Sequence, residues 1–78
     1  MNKCSQLCCL PVGNTAVISA VPTGIESLTR LRELGLVPGT KVRMVRKAPL
    51  GDPMEISLRG SRLAMRLREA IQIEVLPD

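Results

Sequence analysis

The sequence predicts a mainly β chain: a small barrel of five or six short strands, one α-helix over about residues 24–34 and a short helical turn over about residues 66–70. Three observations predict it. Six glycines and six prolines punctuate the chain at short intervals, which suits brief strands joined by turns. Between them lie β-branched or alternating runs, of which Met54–Arg59 is the cleanest. Only one segment, from Thr23 to Gly35, carries helical start and stop signals around an apolar stripe. Closing five or so short strands into a barrel would remove exposed edges. At 78 residues the chain has room for one domain, spanning 1–78, with one compact core and a thin stability margin.

The elements follow in order. Leu7 and Leu10 precede a turn at Pro11-Val12-Gly13. Thr15 to Val21 reads as a strand, with Ala16, Ile18 and Ala20 on one face and Val17 and Val21 on the other. Thr23-Gly24-Ile25-Glu26 has the form of a capping box that opens the helix. Ile25, Leu28, Leu31 and Leu34 supply its apolar stripe, Glu26 and Arg30 an i,i+4 pair, and Gly35 its C′ stop. Val37-Pro38-Gly39-Thr40 fits a type II turn, which needs positive φ at its third position. In the strand from Lys41 to Lys47, Val42 and Met44 point one way and Lys41, Arg43 and Val45 the other. The connection Ala48-Pro49-Leu50-Gly51-Asp52-Pro53 is stiffened by two prolines, each holding its predecessor extended. Met54, Ile56 and Leu58 then face inward, with Glu55, Ser57 and Arg59 outward. Gly60 marks a bend or bulge, and Ser61 to Arg66 reads as either strand or turn. After a helical turn from Leu67 to Ala70, a closing strand alternates Ile71, Ile73 and Val75 inward with Gln72 and Glu74.

Composition excludes several function classes. There is no His, so the commonest general base and transition-metal ligand are missing, and no Ser-His-Asp or Cys-His set can form. There is no Phe, Tyr or Trp, so neither base stacking nor an aromatic groove for proline-rich peptides is available. No G-x-x-x-x-G-K-[ST] loop occurs. The reading is that the chain is not an enzyme. Net charge is +4, which suits an acidic partner or simple solubility. No signal peptide is recognisable, no apolar run approaches ~20 residues, and three cysteines cannot complete a disulfide framework. These features predict a cytoplasmic location without membrane insertion.

The residues also resemble a known family. Arg30-Leu31-Arg32-Glu33-Leu34-Gly35-Leu36-Val37-Pro38-Gly39-Thr40 is similar to the signature of ferrous iron transport protein A (FeoA), in which a helix runs into a Gly-Leu-x-Pro-Gly turn. Ala48–Pro53 resembles its second hallmark, and Gly60 to Ala70 its third. Leu7, Leu10 and Gly13 fit the opening pattern, interrupted by Cys8 and Cys9 where the family more often has polar residues. The resemblance covers nearly the whole chain. It implies an SH3-like barrel of five or six strands with added helices, and kinship with the small barrel of iron-dependent repressors. It further implies a cytoplasmic accessory of the membrane permease FeoB, whose cytosolic part binds GTP.

The site expectations follow. Docking on FeoB would use Leu50 and Met54 as apolar anchors, Arg46 and Lys47 as steering charges, and Arg43 and Arg59 on a basic face with Lys41 and Arg62. The Pro49–Pro53 loop would project a stiff, low-entropy surface toward that partner. The glycines and prolines of the hallmarks also have plain backbone reasons to exist. No cofactor is required. The alternatives are a metal sensor holding iron or zinc on Cys4, Cys8 and Cys9, or a barrel that binds nucleic acid through phosphate contacts alone. Nucleic acid is the less favoured partner, and self-association into a homo-oligomer is open.

Overall fold

The computed structural model describes residues 5–77. A 3₁₀ turn at Leu7–Cys9 is followed by β1 (Thr15–Ala20), α1 (Glu26–Glu33), β2 (Lys41–Lys47), β3 (Met54–Leu58), β4 (Ser61–Met65), α2 (Leu67–Ala70) and β5 (Glu74–Pro77). The strands form one antiparallel sheet in the order β4-β3-β2-β1-β5. The predicted barrel closure is not seen: among the described residues no ladder joins β4 to β5. The far edge of β5 is already occupied. Leu7 N–H donates to the Ile73 carbonyl (2.8 Å), Val75 N–H donates to the Ser5 carbonyl (2.7 Å), and Gln6 bridges Glu74. With residues 5–7 paired there, β4 has no free strand to close onto.

The core takes alternate residues from every strand: Ala16 and Ile18 of β1, Val42 and Met44 of β2, Met54, Ile56 and Leu58 of β3, Met65 of β4 and Val75 of β5. Leu7, Leu10, Leu28, Leu31, Leu36 and Ile73 close over it. A core without aromatic rings relies on flexible thioethers, and Met44, Met54 and Met65 are all buried. The two buried polar side chains among the described residues, Thr40 and Glu69, are satisfied. Thr40 Oγ1 donates to the Gly35 carbonyl (3.1 Å), and Glu69 Oε1 accepts the Arg66 N–H (2.8 Å).

Helix α1 is shorter than predicted and starts differently. Its N-cap is Ile25, which makes no side-chain cap bond, and the Thr23–Glu26 capping box does not form. Gly24 adopts φ +83°, so the chain turns before Thr23 can cap the helix. Glu26 still sits in the first turn, where the helix dipole favours a carboxylate. Leu34 is 57% exposed although it belongs to the predicted stripe. A three-residue repeat slips by roughly 60° per step on a helix of 3.6 residues per turn, so its ends cannot share a face. Leu36 takes its place through a Schellman motif: Leu36 N–H donates to the Leu31 carbonyl and Gly35 N–H to that of Arg32, with Gly35 at φ +114°. The Val37–Thr40 turn forms as predicted, closed by Thr40 N–H to the Val37 carbonyl (3.1 Å).

Two β-bulges and one hairpin turn change the predicted faces. The β1–β5 register shifts between Ile18 and Ala20, and Val21 rather than Ala20 packs against the core. The β2–β3 register shifts between Met44 and Arg46. Leu58 pairs with Ser61 across a two-residue turn in which Arg59 (φ 50°) and Gly60 (φ 81°) are both left-handed, the pattern of a type I′ hairpin. The ambiguous Ser61–Arg66 segment is therefore mostly strand, and Arg59 belongs to the turn rather than to a strand face. The closing strand is shorter than predicted. Ile71 is the C-cap of α2 and exposed, while Ile73 and Val75 are buried as expected.

Candidate partner-binding face

The bulge in β2 builds the outer face of the sheet. Arg43 lies opposite Ser57, and Arg46 lies opposite Glu55. Three residues apart on a regular strand, these two arginines would point to opposite faces. The extra residue at Val45 restores the phase, so both project outward. Across β3, Ser57 pairs with Arg62 and Glu55 with Ala64. Arg43, Arg46 and Arg62 thus share one surface, with one carboxylate between Arg46 and Arg62. Glu55 Oε1 lies 3.6 Å from Arg46 Nε, and Oε2 lies 3.9 Å from Arg62 Nη1. Such exposed pairs add little stability, so the excess positive charge is available to a partner. Arg43 Nε also donates to the Gly13 carbonyl at 3.4 Å. An open depression of about 420 Å³ runs along this surface, lined by Gly13, Arg43, Val45, Ser57, Gly60 and Arg62.

The same phase change turns Lys47 inward. Lys47 lies opposite Met54, and its Nζ donates to the Cys8 carbonyl at 3.0 Å. The expected steering charge is therefore a strut that ties the end of β2 to the 3₁₀ turn. Met54 is corrected as well: at 2% exposure it is a core residue and offers nothing to a partner. The inward phase read for Met54–Leu58 already required this. Leu50, by contrast, is 93% exposed at the tip of its loop.

That loop is well braced. Ala48 N–H donates to the Pro53 carbonyl (3.0 Å) and Gly51 N–H to the Ala48 carbonyl (2.7 Å); the Asp52–Pro53 peptide is cis. Asp52 Oδ1 accepts the Leu67 N–H (3.0 Å) at the start of α2, and Asp52 Oδ2 lies 3.9 Å from Arg66 Nη1. The chain thus presents Leu50 on a closed, anchored loop, as the two prolines suggested.

Of the basic face expected from the sequence, Arg43 and Arg62 are brought together. Arg46 joins them, Arg59 moves to the hairpin turn beside Arg62, and Lys41 lies at the other end of β2 opposite Val17. A second group of cations had no sequence signal: Arg30 of α1 meets Arg66 and Arg68 around α2, lining a depression of about 380 Å³ with Pro53 and Glu69.

The cysteines do not assemble a metal centre among the described residues. Cys4 lies outside them. Cys8 is a half-buried free thiol, 3.9 Å from Cys9 Sγ and 3.7 Å from Gln6 Oε1. Cys9 is disulfide-bonded, which removes its thiolate as a ligand. No group of three His, Cys, Asp or Glu side chains suited to a metal occurs among the described residues. No helix there is long and apolar enough to cross a membrane.

Comparison with known proteins agrees with this architecture. The chain is similar to the FeoA protein of Chlorobium tepidum, with 40% identity over 92% of this chain and 69% of that one, at a TM-score of 0.85. It is similar to Stenotrophomonas maltophilia FeoA, solved with zinc and described as a prokaryotic SH3 domain protein, with 38% identity over 90% of this chain and 87% of that one, at a TM-score of 0.79. A manganese-dependent transcriptional repressor, 14% identical, shares the fold alone: the match covers 100% of this chain and 38% of that one at a TM-score of 0.85. The FeoA domain model matches residues 6–77, and the chain therefore belongs to the FeoA family, which is associated with ferrous iron transport.

Proposed function

We propose that the chain is a cytoplasmic regulatory module of ferrous iron uptake that docks on the cytosolic, GTP-binding part of the FeoB permease. The observation that carries this reading is the outer face of β2, β3 and β4, where Arg46 and Arg62 flank the Glu55 carboxylate and Arg43 projects from the same face, next to a braced loop that presents Leu50. Arginines steer and orient an encounter with an acidic surface, and a pre-ordered apolar tip anchors it at little entropic cost. Membership in a transport-associated family supports the reading, as does the description of the Stenotrophomonas protein as a candidate ferrous iron transport activating factor.

The test is calorimetric titration into the purified cytosolic domain of the cognate permease, with and without guanine nucleotide. Saturable binding is expected, weakened about tenfold or more by Arg43→Glu with Arg46→Glu and less by Leu50→Ala. Absence of binding in both nucleotide states, or binding indifferent to all three changes, overturns the reading. Lys47 is excluded from the charge test because it braces the fold.

The metal-sensing alternative depends on redox state. A reducing cytoplasm would open the Cys9 disulfide and leave two thiols side by side at Cys8 and Cys9. Zinc in the Stenotrophomonas relative keeps this alternative in view. Stoichiometric metal binding to the reduced chain, lost when Cys4, Cys8 and Cys9 are changed to Ser, would support it.

A further inference from the structure

We propose that the open edge of β4 receives an acidic, extended segment of a partner polypeptide by strand addition. The pairing pattern fixes which groups are available. Leu58 and Ser61 close a two-residue hairpin and so form a hydrogen-bonded pair. Bonded and non-bonded pairs alternate along an antiparallel ladder, which makes Ile56–Leu63 and Met54–Met65 the next bonded pairs. Arg62 and Ala64 therefore turn their N–H and C=O groups away from β3. Neither residue makes another backbone hydrogen bond among the described residues. Both are exposed, so an incoming strand meets two unpaired donors and two unpaired acceptors.

Charge selects the occupant. The edge is flanked at one end by Arg62 and at the other by Arg30, Arg66 and Arg68. The nearby carboxylates are already engaged: Glu55 by Arg46 and Arg62, Asp52 by Arg66 and the Leu67 N–H, and Glu69 by the Arg66 N–H. Arg30 and Arg68 make no ion pair among the described residues. Two copies of this edge laid together would place arginines against arginines, which disfavours a β4–β4 dimer. An acidic strand meets complementary charge at both of its ends. This inference does not depend on FeoB being the partner.

The experiment uses the full chain labelled with ¹⁵N and three end-blocked heptapeptides: alternating glutamate–valine, alternating glutamate–proline of the same charge, and alternating lysine–valine. The glutamate–valine peptide is expected to shift the Arg62 and Ala64 amides and slow their hydrogen exchange about tenfold or more. The glutamate–proline peptide carries the same charge, keeps N–H groups on its glutamates alone and is biased toward polyproline II rather than a ladder-forming strand; it should bind about tenfold more weakly, with no added protection. Arg62→Glu with Arg68→Glu should weaken the first peptide about tenfold or more. Ala64→Pro removes an outward-facing N–H, tolerable at a sheet edge, and should abolish the protection while the spectrum stays folded. The proposal is overturned by no binding of the first peptide, by binding of either other peptide as tight as that of the first, by shifts confined to residues off β4, or by an unaffected charge variant. A concentration-dependent β4–β4 dimer would overturn it equally.

Discussion

The two edges of the sheet are finished in opposite ways. At β5 the edge is sealed by protein: residues 5–7 pair with it, Leu7 drops its side chain into the core, and Lys47 holds the 3₁₀ turn from the far side. At β4 the edge is left open and short, flanked by arginines, and it begins from a left-handed hairpin turn. Both arrangements answer the same hazard, an unpaired strand that templates association. The sealed edge uses hydrogen bonds and buried surface and contributes stability. The open edge uses charge, which contributes almost none to stability but disfavours pairing with a second like-charged edge. In a chain this small, the paired edge carries the stability, and the proposed recognition falls to the opposite end of the same sheet.

Substitutions at the two edges should separate these roles. Leu7→Ala has the largest expected effect: it empties a fully buried site and loosens the strand that seals β5, at a cost of about 2–5 kcal/mol. Urea unfolding should show a much lower midpoint, and an unchanged midpoint would mean that the N-terminal segment is decoration. Lys47→Met keeps the aliphatic stem and removes the donor to Cys8, with an expected loss of about 1–2 kcal/mol. Faster amide exchange at Leu7 than at β3 would place that loss at the sealed edge; uniform acceleration would argue against a local strut. At the open edge the sign reverses. Arg59→Asn puts a residue tolerant of positive φ into the hairpin turn and should stabilise by about 0.5–1 kcal/mol. A lower melting temperature in that variant would show that Arg59 makes an interaction the turn geometry does not reveal.

Much of the outer face was visible in the residue pattern, but one bulge rearranged it. Alternation alone placed Arg43 outward and, carried on along the strand, would turn Arg46 inward and Lys47 outward. The extra residue at Val45 decides both, sending Arg46 out beside Glu55 and Lys47 in toward Cys8. A bulge leaves little mark on a sequence, because the unpaired residue is stabilised by the partner strand rather than by its own type. The cluster of Arg30, Arg66 and Arg68 was illegible for a related reason: it joins two helices separated by more than thirty positions in the chain. Leu50 was easier, since two prolines and a glycine around an apolar residue already described a stiff, exposed tip.

By itself the sequence determined the mainly β class, the order of the elements, the Gly35 and Pro38-Gly39 turns, and the inward faces of β2 and β3. Each is a local matter of period, turn chemistry or positive φ, and these act over a few residues. Tertiary structure alone decided where α1 begins, which hydrophobics follow Leu31 into the core, and which arginines meet. It also decided that the sheet stays open. Barrel closure is a contest between two candidate neighbours for β5, and residues 5–7 win it through paired backbone groups and the burial of Leu7. That outcome depends on long-range packing, which no local pattern encodes.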